Sequence, residues 1–178
     1  MTATLSLAST VRAAPSALAF DALYRECRDD LYAYVATVLG DRAAAEDACA
    51  QAFERAYRRR ARYDPRRGSP RAWLFAIARN AALDELRRRR RTAALLVDAA
   101  DVESPDPDDG AEHALRRRSV RDGLASLMPR ERELIALKFF AGLTNGEIAT
   151  LVAVSETNAG TALHRAVTKL RRACDVAA

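Results

Sequence analysis

The chain of 178 residues has room for one domain or two small ones, and a 49% hydrophobic but only 6% aromatic composition favours helices with thin cores of Ala, Leu and Val. The net charge of +5 is unevenly spread. Residues 1–92 hold 18 basic and 11 acidic side chains, and residues 115–178 hold 11 basic and 6 acidic ones. Residues 93–114, between them, hold 7 acidic side chains and no basic one. Scattered cysteines and histidines, and the lack of a bilayer-spanning apolar run, argue against metals, cofactors, a disulfide framework and membrane insertion, so we expect a cytoplasmic protein.

Residues 1–18 are rich in Ala, Ser and Thr and have no basic n-region, which predicts a loose tail rather than a signal peptide. From Phe20 to Gly40, apolar residues recur every three or four positions, the pattern of an amphipathic helix. Asp41 can cap a second helix. Cys27 and Cys49 fall on the two apolar stripes, so we expect both thiols to be buried and inert.

The stretch from Ser69 to Arg91, SPRAWLFAIARNAALDELRRRRR, predicts a third helix of roughly 30 Å, capped by Ser69. Its apolar residues share one arc. The other side presents four polar residues, Asn80, Asp84, Arg87 and Arg91. An amide, a carboxylate and arginines on one face are groups that read base edges and hold phosphates. The pattern fits equally a solvated face on which Asp84 pairs with Arg87 or Arg88.

Residues 93–114 contain two prolines and a glycine among seven acids, which predicts a flexible acidic linker. The linker could be a plain tether, or an acidic strand that mimics a nucleic-acid backbone and occupies a basic channel of a partner. We therefore expect an all-α protein with two small helical domains, residues 19–92 and 115–178, joined by this linker.

Beyond the linker, short helices are predicted around Val120 and after Pro129. Thr144 opens a T-x-x-E capping box, and Ser155 can cap a longer helix. Two capped helices joined by a tight turn at Ala153 form a helix-turn-helix, whose second helix enters the DNA major groove. A helical hairpin without a DNA-binding role can share this pattern.

In their order, these stretches resemble the extracytoplasmic-function sigma factors, the minimal initiation subunits of bacterial RNA polymerase. FDALYRECRDDLYAYVATVLGDRAAAEDACAQAF is similar to the first two helices of sigma region 2, and AWLFAIARNAALDELRRRRR to its regions 2.3 and 2.4. Residues 124–172 resemble region 4 with its helix-turn-helix. The resemblance implies a non-enzymatic protein that binds promoter DNA, an anti-sigma factor, and the clamp coiled coil and flap of core polymerase.

The resemblance also implies three groups of site residues. The clamp would be bound by Asp47, Gln51 and Phe53, with a core position as the alternative for Phe53. The -10 element, including a flipped base, would be bound by Arg67, Gly68, Ser69, Asn80, Asp84, Arg87 and Arg88. The -35 element would be read by Ser155, Glu156, Thr157, Asn158, Thr161, His164, Arg165 and Lys169. Trp73 would be either a core residue or a wedge that melts the duplex.

Four positions depart from the family pattern. Ala50 stands where Gln is usual, and Gln51 lies one step later, about 100° round the helix. Ala153 replaces a turn glycine, at a cost on the order of 1 kcal/mol if its backbone is left-handed. Gly160, expected on the outward face of the recognition helix, and Ala162 replace a Lys and an Arg of that helix, so the family's -35 sequence does not transfer directly.

Two other classes of function fit parts of the sequence. A helix-turn-helix regulator could bind duplex DNA without touching polymerase, although the polar face of the third helix would then have no role. A metal-dependent nuclease would need paired carboxylates, such as Glu46 with Asp47 or Asp84 with Glu85. Sequence neighbours point about 100° apart on a helix and make a poor shared site.

Overall fold

The computed structural model describes residues 19–93 and 111–176, and all the regular secondary structure in these ranges is helical, which confirms the all-α prediction. The α-helices are α1 (Phe20–Leu39), α2 (Arg42–Arg59), α3 (Pro70–Ala93), α4 (Ala111–Ser126), α5 (Pro129–Phe139), α6 (Asn145–Val152) and α7 (Glu156–Val176). Two short 3-10 turns, Arg60–Arg62 and Pro65–Arg67, connect α2 to α3. The predicted tail and residues 94–110 of the predicted linker lie outside the described residues, and α4 begins before the expected end of the linker.

Helices α1 to α3 form the N-terminal bundle, and local signals in the sequence set their ends. Gly40 ends α1 in the left-handed conformation, with φ of +66°. The Asp41 side chain then caps α2 by accepting from the Ala44 N–H. That hydrogen bond, together with one from Arg89, holds the pKa of Asp41 below its usual value. Ser69 likewise caps α3 by accepting from the backbone at its first turn.

The core of the N-terminal bundle lies where the apolar stripes of its three helices meet. Leu31 and Tyr34 of α1 and Leu74 and Phe75 of α3 are fully buried, and the Tyr34 and Phe75 rings meet edge to face at 5.6 Å. Alanines of α2 and α3 complete the core, and the small side chains allow the helices to pack closely. The two thiols expected to be inert, Cys27 and Cys49, are both buried.

Helices α4 to α7 form the C-terminal bundle, in which the predicted helix-turn-helix is present. Thr144 and Glu147 form a reciprocal capping box at the start of α6. Ala153 ends α6 with φ of +56° and ψ of +52°, so its backbone is left-handed, as the departure from the usual glycine suggested. Ser155 Oγ then accepts from the Asn158 N–H and caps α7.

The two bundles contact each other directly, which sequence analysis did not predict. Helix α5 packs against α1 of the N-terminal bundle as well as α7 of its own. Arg71 of α3 forms an ion pair with Asp30 of α1. The same guanidinium donates to the carbonyl oxygens of Phe140 and Ala141, just beyond the end of α5.

Two further polar pairs join the bundles. Arg79 Nε lies 2.7 Å from Glu133 Oε1, and the Glu133 residue is only 8% exposed. Ser69 Oγ donates to Glu147 Oε1 at 2.6 Å. We call this contact the interdomain seam, formed by Ser69, Arg71 and Arg79 on one side and Glu133, Phe140, Ala141 and Glu147 on the other.

Candidate nucleic-acid interface

The polar face of α3 is exposed, and weak ion pairs hold its side chains. Asp84 accepts from Arg87 at 3.2 Å and pairs with Arg55 of α2 at 3.6 Å. Asn80 is exposed, and its side chain makes no hydrogen bond within the described ranges. Exposed ion pairs contribute about 0.2–1 kcal/mol each, so DNA could replace those of Asp84 at little cost. The pairing of Asp84 with Arg87 that sequence analysis allowed is present, and it leaves the face open to a ligand.

The arginines at the end of α3 are not equivalent. Glu85 accepts from Arg88 through both of its oxygens at 2.8 Å, and also from Arg89. The hydrogen bonds from Arg88 hold the pKa of Glu85 below its usual value. Arg90 and Arg91 are exposed and have no ion-pair partner in residues 19–93 and 111–176. They are therefore unneutralised cations beside the predicted phosphate contacts. The run of arginines in the sequence does not indicate which of them are paired and which are not.

The loop before α3 brings together three predicted site residues, Arg67, Gly68 and Ser69. Gly68 adopts φ of +144° and ψ of 174°, a conformation that L side chains rarely adopt. Ser69 Oγ accepts from the Ala72 N–H at 3.1 Å while donating to Glu147 across the seam. Burial raises the pKa of Glu147, but hydrogen bonds from Ser69 and from Thr144 outweigh burial and leave it lowered.

Two aromatic residues that flank this loop support it. The hydroxyl of Tyr63 donates to the Gly68 carbonyl oxygen at 3.0 Å, and the Tyr63 and Trp73 ring centroids are 5.6 Å apart. Trp73 is partly buried and packs against the core. Tyr63 was not among the predicted site residues. Its aromatic character next to Asp64-Pro65 was the available signal, but the hydrogen bond depends on how the loop folds.

Of the three predicted polymerase contacts, the structure exposes two. Asp47 and Gln51 lie on the solvent side of α2. They line a cleft of about 520 Å³ between α2 and α3, together with Asp84 and Arg88. The predicted polymerase and -10 residues therefore share one cleft.

Phe53, the third predicted polymerase contact, is partly buried in an aromatic cluster between α1 and α2. Its ring centroid lies 4.7 Å from that of Tyr24 and 6.5 Å from that of Phe20. Tyr57 joins the same cluster through Phe20, with centroids 5.2 Å apart. The Phe53 ring therefore packs within the N-terminal bundle.

All eight residues predicted to read the -35 element are exposed, at the cap of α7 or along one side of it. Lys169 is not a free cation, because its ammonium group pairs with Glu131 of α5, which also lowers the pKa of Glu131. Gly160, expected on the outward face, is instead partly buried: a Cβ built there would lie 3.6 Å from Asn145 Nδ2 of α6. That distance is an ordinary van der Waals contact, so the structure leaves room for a Cβ at this position.

Residues 19–93 and 111–176 hold no group of three or more side chains that could bind a metal ion. No helix there is long and apolar enough to cross a bilayer. Of the carboxylate pairs considered for a nuclease, Asp84 and Glu85 are each paired with arginines.

Comparison with known proteins gives the same division of the chain. The family Sigma-70 region 2 matches residues 23–92, and the family Sigma-70, region 4 matches residues 117–170. The ECF RNA polymerase sigma factor SigL of Mycobacterium tuberculosis is 32% identical over 160 residues, which cover 89% of this chain and 90% of SigL. The ECF RNA polymerase sigma factor BldN of Streptomyces coelicolor is 32% identical over 158 residues, which cover 86% of this chain but only 60% of BldN.

Solved structures show the same fold. The sigma factor RpoE of Bartonella quintana, in complex with the anti-sigma factor NepR, superposes with a TM-score of 0.76 at 21% identity, over 88% of this chain and 97% of RpoE. CnrH, in complex with the cytosolic domain of CnrY, superposes with a TM-score of 0.62 at 24% identity, over 88% of each chain. Sigma factors initiate transcription and are not an enzyme family. From the two family matches and the SigL identity, the chain belongs to the ECF sigma factors of bacterial RNA polymerase.

Proposed function

We propose that this chain binds core RNA polymerase, directs it to promoters through a -10 and a -35 element, and melts the -10 region. The observation that carries the proposal is the exposed face of Asn80, Asp84 and Arg87 on α3, the helix that directly follows the loop around Gly68. Melting DNA costs unstacking energy, and a protein can offset that cost only by holding the extruded base and the freed strand.

Within this proposal, the parts of the N-terminal bundle have separate tasks. Asn80 and Asp84 read the -10 strand, and Arg87 and Arg88 hold its phosphates. The loop at Gly68 captures the flipped base. Because the Ser69 hydroxyl is bonded to Glu147 at 2.6 Å, a DNA strand that uses this hydroxyl must displace Glu147.

Polymerase and the -35 element occupy the remaining surfaces in this proposal. Asp47 and Gln51 bind the clamp coiled coil, and the C-terminal bundle binds the flap and presents α7 to the duplex. A regulator acting without polymerase would use α7 alone and leave the face of α3 unexplained. We further propose that the chain binds an anti-sigma factor, because RpoE was solved in complex with the anti-sigma factor NepR. CnrH was also solved with a partner, the cytosolic domain of CnrY.

The test uses holoenzyme reconstituted from the full chain and core polymerase. Asn80→Ala and Asp84→Ala should each change the preference among promoters that differ only in the -10 element, measured as open-complex formation. Arg87→Ala should weaken binding on all of them alike. Asp29→Ala is the control, since Asp29 is also an exposed aspartate but pairs only with Arg28 on α1. Unchanged preference in both α3 variants, with core binding intact, would refute the assignment.

A further inference from the structure

We propose that Tyr63 is a positioning residue for base capture: its hydroxyl fixes the Gly68 carbonyl, and so holds the loop of Arg67, Gly68 and Ser69 in the conformation that receives an extruded base. The inference rests on the proposed function of that loop. It adds a residue that the resemblance did not assign.

The loop has an uncommon backbone conformation at Gly68 and open space beside it. Gly68 has φ of +144°, and a Cβ built there would meet no atom within 4 Å. No side chain therefore packs where a Cβ of residue 68 would stand, and the nearest backbone hydrogen bond runs from the Arg67 N–H to the Asp64 carbonyl at 3.0 Å. Within the described residues, the Tyr63 hydroxyl makes the only side-chain hydrogen bond to the backbone of Arg67 or Gly68.

The Tyr63 side chain is itself well anchored. Its ring packs against Trp73 with centroids 5.6 Å apart and planes at 58°, and Trp73 packs against the core. Its backbone N–H donates to the carbonyl of Arg60 at 3.3 Å, at the end of the first 3-10 turn. The hydroxyl is thus held at a fixed position relative to α3.

Both ends of the loop are also fixed. Asp64 Oδ1 accepts from the Arg66 N–H at 3.0 Å, and Ser69 caps α3. Between these ends lie Arg67, which is exposed, and Gly68, which has open space beside it. The first turn of α3 follows directly. The N-terminus of a helix favours negative charge, so the strand carrying the extruded base is attracted to this segment.

The experiment compares Tyr63→Phe with the unchanged protein, each as the full chain bound to core polymerase. The probes are fluorescent single strands of a selected -10 element, one intact and the others each carrying a single abasic nucleotide. The unchanged protein should lose affinity strongly for the abasic site at one position, which identifies the captured base. Tyr63→Phe should bind the intact strand about 3- to 10-fold more weakly, the effect of one lost hydrogen bond. The loss of affinity caused by an abasic nucleotide, the abasic penalty, should be smaller in Tyr63→Phe at that position alone.

Two further variants separate positioning from general destabilisation. Tyr57→Phe is the matched control, because the Tyr57 side chain is half exposed and its hydroxyl makes no hydrogen bond within the described ranges. It should behave as the unchanged protein. Gly68→Ala should reproduce the selective loss of Tyr63→Phe, since the added methyl has space but disfavours the backbone conformation.

The outcomes distinguish this inference from the proposed function. If the unchanged protein shows a position-specific abasic penalty and Tyr63→Phe shows the same one, Tyr63 does not position the loop, while base capture stands. A uniform loss of affinity for all strands in Tyr63→Phe would likewise overturn the inference in favour of a structural role. If the unchanged protein shows no position-specific penalty, base capture by this loop is itself wrong.

Discussion

Replacing Ala153 by glycine should stabilise the protein. Ala153 ends α6 with φ of +56° and ψ of +52°, where an L-residue is disfavoured by about 1–2 kcal/mol. Glycine relieves that strain. It also makes the unfolded chain more flexible, which lowers the free energy of unfolding by about 0.4–1 kcal/mol. Because Ala153 is exposed, no buried contact is lost with its methyl group. The free energy of unfolding should therefore rise by about 0.5–1 kcal/mol.

Thermal unfolding measures this change. For a chain of this length, 1 kcal/mol corresponds to a shift of about 2–4 °C in Tm, so Ala153→Gly should raise Tm by about 1–4 °C. The control is the same substitution at Ala50, which is also exposed but lies within α2. There glycine should lower the free energy of unfolding by about 1 kcal/mol. A fall in Tm for Ala153→Gly comparable with that for Ala50→Gly would show that the left-handed backbone carries no strain.

The remaining predictions concern the seam, α7 and the buried thiol. Arg79→Glu or Glu133→Arg alone should separate the bundles and enlarge the radius of gyration in X-ray scattering, whereas the double exchange should restore the compact form. A compact Arg79→Glu protein would mean that this pair does not hold the seam. In -35 duplex binding, Arg165→Ala should reduce the salt slope by about one unit, but Lys169→Ala should change it much less because Glu131 already neutralises that cation. Equal effects would contradict the role given to that ion pair. Burial raises the pKa of Cys49 to about 11, so its reaction with maleimide at pH 8 should require unfolding. Rapid labelling of Cys49 itself in the native protein would disprove this.

Sequence predicted the features that depend on neighbouring residues. Asp41, Thr144 and Ser155 cap helices through atoms no more than three residues away, so a short motif contains all that the hydrogen bond needs. The exposed side of α7 follows in the same way from helical periodicity. These local rules account for the helix-turn-helix and for most of the faces of α3.

The features that sequence missed all depend on contacts between distant residues. Arg71 and Arg79 were given no role from the sequence, because nothing near them in sequence indicates that Glu133 or the end of α5 lies opposite. The ion pair of Lys169 was missed for the same reason, since its partner Glu131 is 38 residues away. Gly160 was placed by helical periodicity alone, which gives no sign that Asn145 of α6 lies beside it.

Arg71 makes the end of α5 depend on the other half of the chain. The last turn of a helix leaves carbonyl groups without partners, and donors for those just beyond α5 come from a side chain 70 residues earlier. A fragment cut within residues 94–110 would leave the Phe140 and Ala141 carbonyls to water and Glu133 without its arginine. In such a fragment, α5, the helix that precedes the helix-turn-helix, would lack these contacts. Affinities measured on separate halves would therefore not sum to that of the intact chain, and the whole polypeptide is the unit on which promoter binding has to be measured.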